Sequence, residues 1–123
     1  MSDAALLCHY YSNGFARVAL LDGEPVGAIG VVRSPLIPHL GSAWAFGTRR
    51  FKRALPALSK LAKTFPATLI AEGVRRVEAR CLKDHDSAGH WMASLGAVKE
   101  CDLECYGRDG ETFELWAWTH KDA

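Results

Sequence analysis

The stretch Arg49-Arg50-Phe51-Lys52-Arg53 places four cations within five residues. It opens a segment in which Phe51, Leu55, Leu58, Ala62 and Phe65 recur at three- and four-residue steps. That spacing predicts an amphipathic helix over 49–65. The cations then stand at its N-terminal end, where the helix dipole disfavours positive charge. A helix start loaded in this way needs an anion. Backbone N–H groups aimed outward, together with guanidinium forks, suit a phosphate. No acidic residue occurs between Glu24 and Glu72, a span that also holds Arg33, Lys60 and Lys63. A one-sign segment inside a chain of net charge +1 points to a local anion site rather than a generally basic surface. Two other uses compete: a solvated basic helix face, and a nucleic-acid groove with Trp44, Phe46 and Phe51 as stacking platforms. The small net charge and the core-like spacing of these aromatics argue against nucleic acid.

Proton-transfer chemistry has three candidate bases, Glu78, His85 and His90. Glu78 alternates with the apolar residues of its strand and reads equally as a surface or salt-bridged carboxylate. His85 lies in a strand-to-helix loop, where a polar loop residue is also at home. His90 sits beside Trp91 and suits packing or the surface. Among proton donors, Cys81 falls on an inward strand face and reads as a buried thiol, while Tyr106 lies near a hairpin turn and reads as structural. Cys8, Cys81, Cys101 and Cys105 form no CxxC pair. Their spacing offers neither a zinc ligand set nor a disulfide framework, so reduced thiols are expected.

These residues must be positioned by a mixed set of elements. Residues 15–34 read as a hairpin around Asp22-Gly23, a strong two-residue turn signal. Residues 35–41 are a proline-punctuated loop, and 41–48 a short buried strand. Thr48 is the expected N-cap of the helix that follows. Pro56 suits its first turn or a kink, and Pro66 breaks it before a final turn closed by Gly73. Residues 74–82 alternate as a strand. Residues 86–96 form a short helix, with Asp86 as N-cap and Gly96 just past its end. Residues 97–120 form a second hairpin turning near Asp109-Gly110, with Trp116 and Trp118 on one strand face as core aromatics. The order predicts a mixed α+β sheet with helices packed on it. A length of 123 residues predicts one domain with a core that needs no staples. No run reaches the ~20 apolar residues of a membrane-spanning helix. The opening residues, with Asp3 and no basic cluster, do not read as a signal peptide; a cytoplasmic protein is expected.

These phrases in this order resemble the GNAT superfamily of acyl-CoA-dependent N-acyltransferases. The resemblance is strongest over 74–97, where an alternating strand, Val77-Glu78-Ala79, leads to a helix carrying Ala88 and ending in Leu95-Gly96. It extends over roughly 15–119 and includes the C-terminal hairpin. "DGEPVGAIGV", "WAFGT", "RRVEARC" and "HWMASLGA" are similar to small GNAT-like proteins of bacteriophages, some associated with the virion core. The resemblance implies one GNAT-like domain over 1–123, with helices on both faces of a mostly antiparallel sheet and a shortened N-terminus. It implies acetyl-CoA as acyl donor, seated on Trp44, Ala45, Phe46, Thr48, Arg49, Arg50, Lys52, Arg53, His85 and Ala88. It implies an amine acceptor of unspecified identity, with Glu78 and His85 as candidate catalytic residues. A sheet edge left open by a shortened N-terminus would favour a homodimer. For a phage product the compartment is the host cytoplasm or the virion.

Three departures stand out. His85 occupies the place of the family's usual Asn. Met92 occupies that of the Tyr that protonates the departing thiolate, and Ala97 replaces the final Phe. In the pyrophosphate loop, Arg49 and Ala54 fit the ends, but Lys52 replaces the middle glycine. Such a chain is either an acetyltransferase or a GNAT-fold binding or virion-associated module with weakened catalysis. An open fork between the strands at 41–48 and 74–82 is expected in the first case, and a filled seam in the second.

Overall fold

The computed structural model describes residues 14–121. Six strands form one sheet: β1 (Gly14–Leu21), β2 (Glu24–Arg33), β3 (Leu40–Gly47), β4 (Arg76–Leu82), β5 (Val98–Leu103) and β6 (Phe113–Thr119). The spatial order is β1-β2-β3-β4-β6-β5, and every neighbouring pair is antiparallel except β3 and β4. The expected hairpin is present. Asp22 and Gly23 both take positive φ, 54° and 83°, the conformation that a tight two-residue turn between twisted strands requires.

The helices are α1 (Phe51–Ala62), α2 (Phe65–Ala71) and α3 (Asp86–Ser94). They stand over one face of the sheet. Leu58 of α1 and Leu69 of α2 pack with Ile29, Val31 and Val77, while Met92 of α3 packs with Ala79 and Ala97. Trp118 of β6 touches both clusters and joins them. Helices were expected on both faces, and among the described residues they occupy one. The segment before Gly14, with the expectation of a shortened N-terminus, lies outside the described residues.

Several local expectations change. The helix expected over 49–65 ends at Ala62, and the final turn expected after Pro66 is a separate helix, α2, with Pro66 in its first turn. Pro56 lies inside α1, not in its first turn. Its ring is exposed, so it avoids the core and forfeits one backbone hydrogen bond. Thr48 does not cap α1. It precedes the start by a turn, accepting at its hydroxyl from Arg50 N (3.2 Å) and at its carbonyl from Phe51 N (3.0 Å). Asp86 is not the cap of α3 either. That place belongs to His85, whose Nδ1 accepts from Ala88 N at 3.2 Å, leaving Asp86 in the first turn, where the dipole favours a carboxylate. The end of α3 is as expected: Gly96 takes φ 96° and Ala97 N returns to Met92 O at 3.0 Å.

Candidate active site

β3 and β4 are paired through three positions only, Leu40↔Arg76, Gly41↔Val77 and Ser42↔Glu78. Beyond Ser42 and Glu78 the strands continue to Gly47 and Leu82 without pairing. The result is the open fork, and a cleft of about 850 Å³ occupies it. Register sets which side chains meet it on each face. Ala43, Ala45, Ala79 and Cys81 point toward the helices, while Trp44, Phe46, Arg80 and Leu82 point the other way; all eight line the cleft, which therefore runs through the sheet.

The mouth on the helix side is built around Phe51. Gly27 and Gly47 are register partners on β2 and β3, and a Cβ on either would overlap the Phe51 ring. The two glycines thus make the seat into which the first residue of α1 drops. Phe51 also meets Trp91 edge-on, and Trp91 Nε1 donates to Ser59 Oγ at 2.7 Å. The start of α1 is fixed against both banks of the fork, and Arg49 and Lys52 line the cleft there.

The four cations do not act together. Arg49 and Lys52 reach the cleft, but Arg50 turns away to Asp22 (3.6 Å) and Glu24 (3.5 Å) at the β1–β2 turn. Arg53 is exposed and does not line the cleft. The charge that the helix dipole disfavours is partly neutralised by these two carboxylates. Of the other residues expected to seat the acyl donor, Trp44, Ala45, Phe46, Thr48, His85 and Ala88 line the cleft. Sequence reasoning missed Leu55, Arg76, Arg80, Trp91 and Trp118, which line it too. The Arg76 and Arg80 positions follow only from strand register.

No protein-family model matches the sequence, and no curated protein sequence matches it. Solved structures do. The GNAT-family acetyltransferase from Streptococcus pneumoniae superposes with a TM-score of 0.76 at 17% identity, over 94% of this chain and 74% of that one. A probable acetyltransferase from Staphylococcus epidermidis gives 0.75 at 10% identity, over 95% and 74%. A ribosomal-protein-alanine N-acetyltransferase from Brucella melitensis gives 0.68 at 14% identity, over 97% and 76%. The chain has the GNAT acyltransferase fold.

On this GNAT frame the remaining candidates fall in distinct places. Glu78 does not line the cleft. It lies at the vertex of the fork on the face away from the helices, its oxygens accepting from Arg76 Nε (2.8 Å) and Arg80 Nη2 (2.9 Å). Arg76 is tied also to Glu100, and these two carboxylates, Glu100 foremost, hold its guanidinium well above the usual range. Because Nδ1 of His85 accepts a backbone hydrogen bond, the proton of its neutral ring resides on Nε2. Met92 is buried at the cleft wall and has no proton to give. Cys81 is half-buried there and donates to Glu114 Oε1 at 3.7 Å. Burial and then the Glu114 carboxylate push its thiol up, so it stays protonated at neutral pH. Burial would raise Glu114 itself, but hydrogen bonds from Trp116 and Lys99 outweigh it and hold the carboxyl below its ordinary value. Tyr106 and His90 are exposed and outside the cleft.

Proposed function

We propose that the chain is an acetyl-CoA-dependent N-acetyltransferase acting on an amine. The observation that carries this reading is the fork between β3 and β4 with a basic mouth on one side. A strand pair that stops after three positions leaves backbone donors and acceptors of two facing strands toward a channel. An extended pantetheine amide chain is a natural occupant of such a channel, because it can bond as a strand does. Arg49 and Lys52 at the start of α1 are placed for the phosphates. The residues present therefore fit the donor, although Lys52 replaces the close backbone approach of a glycine with a second cation.

Acetyl-CoA supplies an activated acyl carbon and a thiolate leaving group. The chain supplies position and charge. The two banks orient the thioester, and holding it beside the amine removes most of the entropic barrier. His85, with its ring proton on Nε2, serves as a hydrogen-bond donor to the bound chain rather than as the base. Glu78 is the remaining base candidate, on the face from which an amine would meet the thioester. Met92 in the cleft wall has no proton to offer a departing thiolate, whose proton would then come from solvent.

Isothermal titration calorimetry with acetyl-CoA tests the reading. Saturable micromolar binding that Arg49→Ala and Lys52→Ala weaken supports it, whereas absence of heat at millimolar acetyl-CoA overturns it. The apolar, buried Met92 favours one second reading, a CoA-binding module that does not turn over. Tight acetyl-CoA binding with no thiol release across a broad amine panel would select it. Pairing of the β1 edge with a second copy also belongs to the proposal, and a monomeric mass in sedimentation across a wide concentration range would remove it.

A further inference from the structure

We propose that α1 docks an acidic carrier protein, which presents its acyl group to the fork on a phosphopantetheine arm. This rests on the reading of the fork as a pantetheine channel and names a protein as a second source of the donor. Lys52, Arg53, Lys60 and Lys63 are all exposed. They fall on one side of α1, because the steps from Lys60 to Lys63, Arg53 to Lys60 and Lys52 to Lys63 each return to nearly the same face. Arg49, also exposed, stands at the head of this stripe just before the helix. From Lys52 to Lys63 the stripe is about 16 Å long, at ~1.5 Å per residue.

The stripe is left unneutralised, unlike the rest of the surface. Arg76, Arg80, Lys83 and Lys99 each meet a carboxylate. Arg49, Lys52, Arg53, Lys60 and Lys63 have no ion pair among the described residues. No acid lies between Glu24 and Glu72, and those two are engaged by Arg50 and Arg33. One end of the stripe is the cleft mouth, since Arg49 and Lys52 line the cleft and Arg53, Lys60 and Lys63 do not. Free CoA is served by the first two. The others call for a ligand that is continuous with the arm in the channel and spreads along the helix, which describes a protein bearing that arm. One sign of charge on the stripe asks for the opposite sign on the partner. Pro56 and Ala57, exposed midway along α1, keep the surface between the cations low, so that a partner's backbone can approach. An arm esterified to a serine carries one phosphate, which the Lys52 ammonium can hold without the close backbone approach of a glycine. A nucleic acid would meet the same cations, but it has no arm for the channel, and the net charge of +1 is small for that use.

Transfer from such a carrier balances as it does from CoA. The amine nitrogen bonds to the acyl carbon as the carbon–sulfur bond of the arm breaks. The ammonium loses two protons, one ending on the arm's sulfur and the other in solvent, and the carrier leaves with a free thiol.

Calorimetry of the full chain with a bacterial acyl carrier protein tests the proposal, using the carrier acetylated on its arm and the same carrier lacking the arm, at low and high salt. The acetylated form is expected to bind about tenfold more tightly than the armless form, because arm and docking face act as linked contacts. Both should weaken as salt rises. Lys60→Glu combined with Lys63→Glu should weaken the acetylated carrier by about tenfold and leave acetyl-CoA unaffected, which also reports that the variant is folded. Lys60→Gln with Lys63→Gln should show a smaller loss in the same direction, and it carries the test if the glutamate pair fails to fold. Carrier affinity unchanged in the folded variants, equal binding of the two carrier forms, or a single-stranded oligonucleotide bound more tightly than the carrier overturns the proposal. Acetyl-CoA is titrated separately. Its binding without any binding of the carrier overturns carrier docking alone; failure of both overturns the acetyltransferase reading as well.

Discussion

The rings of Phe51 and Trp91 meet nearly at right angles, with a centroid distance of 5.9 Å and an interplanar angle of 84°, and this contact links α1 to α3 across the fork. Phe51 can reach it because Gly27 and Gly47 leave room beneath the ring. The geometry of the cleft mouth therefore depends on two glycines that lie beneath the Phe51 ring.

Gly47→Ala is expected to destabilise the protein by about 1–3 kcal/mol, since the new methyl forces the Phe51 ring out of its seat. It should also weaken acetyl-CoA binding, because Arg49 and Lys52 move with the helix start. Urea denaturation and calorimetry measure the two effects. An unchanged midpoint with unchanged affinity would show that Phe51 is not what fixes the mouth.

Charge removal should separate the four cations. Arg49→Ala and Lys52→Ala are each expected to weaken acetyl-CoA by about tenfold, more at low salt than at high salt. Arg53→Ala should leave the affinity within twofold, because Arg53 lies outside the cleft. Equal losses at Lys52 and Arg53 would mean that the helix start acts as a diffuse positive field.

His85 holds α3 by its Nδ1. His85→Asn keeps an acceptor at the cap and should retain stability, whereas His85→Ala should cost about 1 kcal/mol. Thermal unfolding of the three proteins decides. Identical losses for Asn and Ala would show that the ring contributes by something other than capping.

Cys81, with its raised pKa and half-buried position, should react slowly with iodoacetamide at neutral pH, and Cys101 and Cys105 quickly, since both are exposed. Saturating CoA should slow Cys81 further and leave the other two unchanged. Peptide mass mapping reads each site. Rapid Cys81 labelling that CoA does not affect would place the ligand elsewhere.

Acid should weaken the β5-β6 side of the sheet, where Glu100, Asp102 and Glu114 lie. Glu114, Asp102 and Glu100 all have folded pKa values below their ordinary ones. The unfolded chain therefore binds protons more readily, and the stability that these groups contribute is present above the ordinary carboxylate range of about 4. It is lost as pH falls through the lowered folded values. Denaturant unfolding at pH 7, 5 and 3 should show little change over the first interval and a fall over the second. A steady loss from pH 7 to 5 would implicate other groups.

Much of the frame is legible in the sequence because it rests on local signals. Asp22-Gly23 names its own turn, Leu58 and Ala62 keep helical step with Phe51, and Leu95-Gly96 announces the end of α3. The site is less legible because its decisive features are not local. Arg50 was read with its neighbours as part of one anion site, yet its partners Asp22 and Glu24 lie more than twenty residues earlier and meet it only when β1, β2 and α1 assemble. His85 takes the cap from Asp86 through a one-residue shift of the helix start, which side-chain preference alone does not resolve. The limit of three paired positions between β3 and β4 is a property of backbone direction, and the apolar pattern of either strand carries no mark of it. Arg80 was invisible as a site residue because alternation alone makes it a surface cation; only its place beyond the fork gives it a channel to face.

The sheet is two three-stranded blocks, β1-β2-β3 and β4-β6-β5, fastened by three rungs. In mechanical terms it has a seam, and the tie between Phe51 and Trp91 is a strut across it. Force or denaturant that separates the blocks meets least resistance there. An extended guest bonded to both banks works as a seventh strand, and the toughness of the molecule then belongs to polypeptide and guest together.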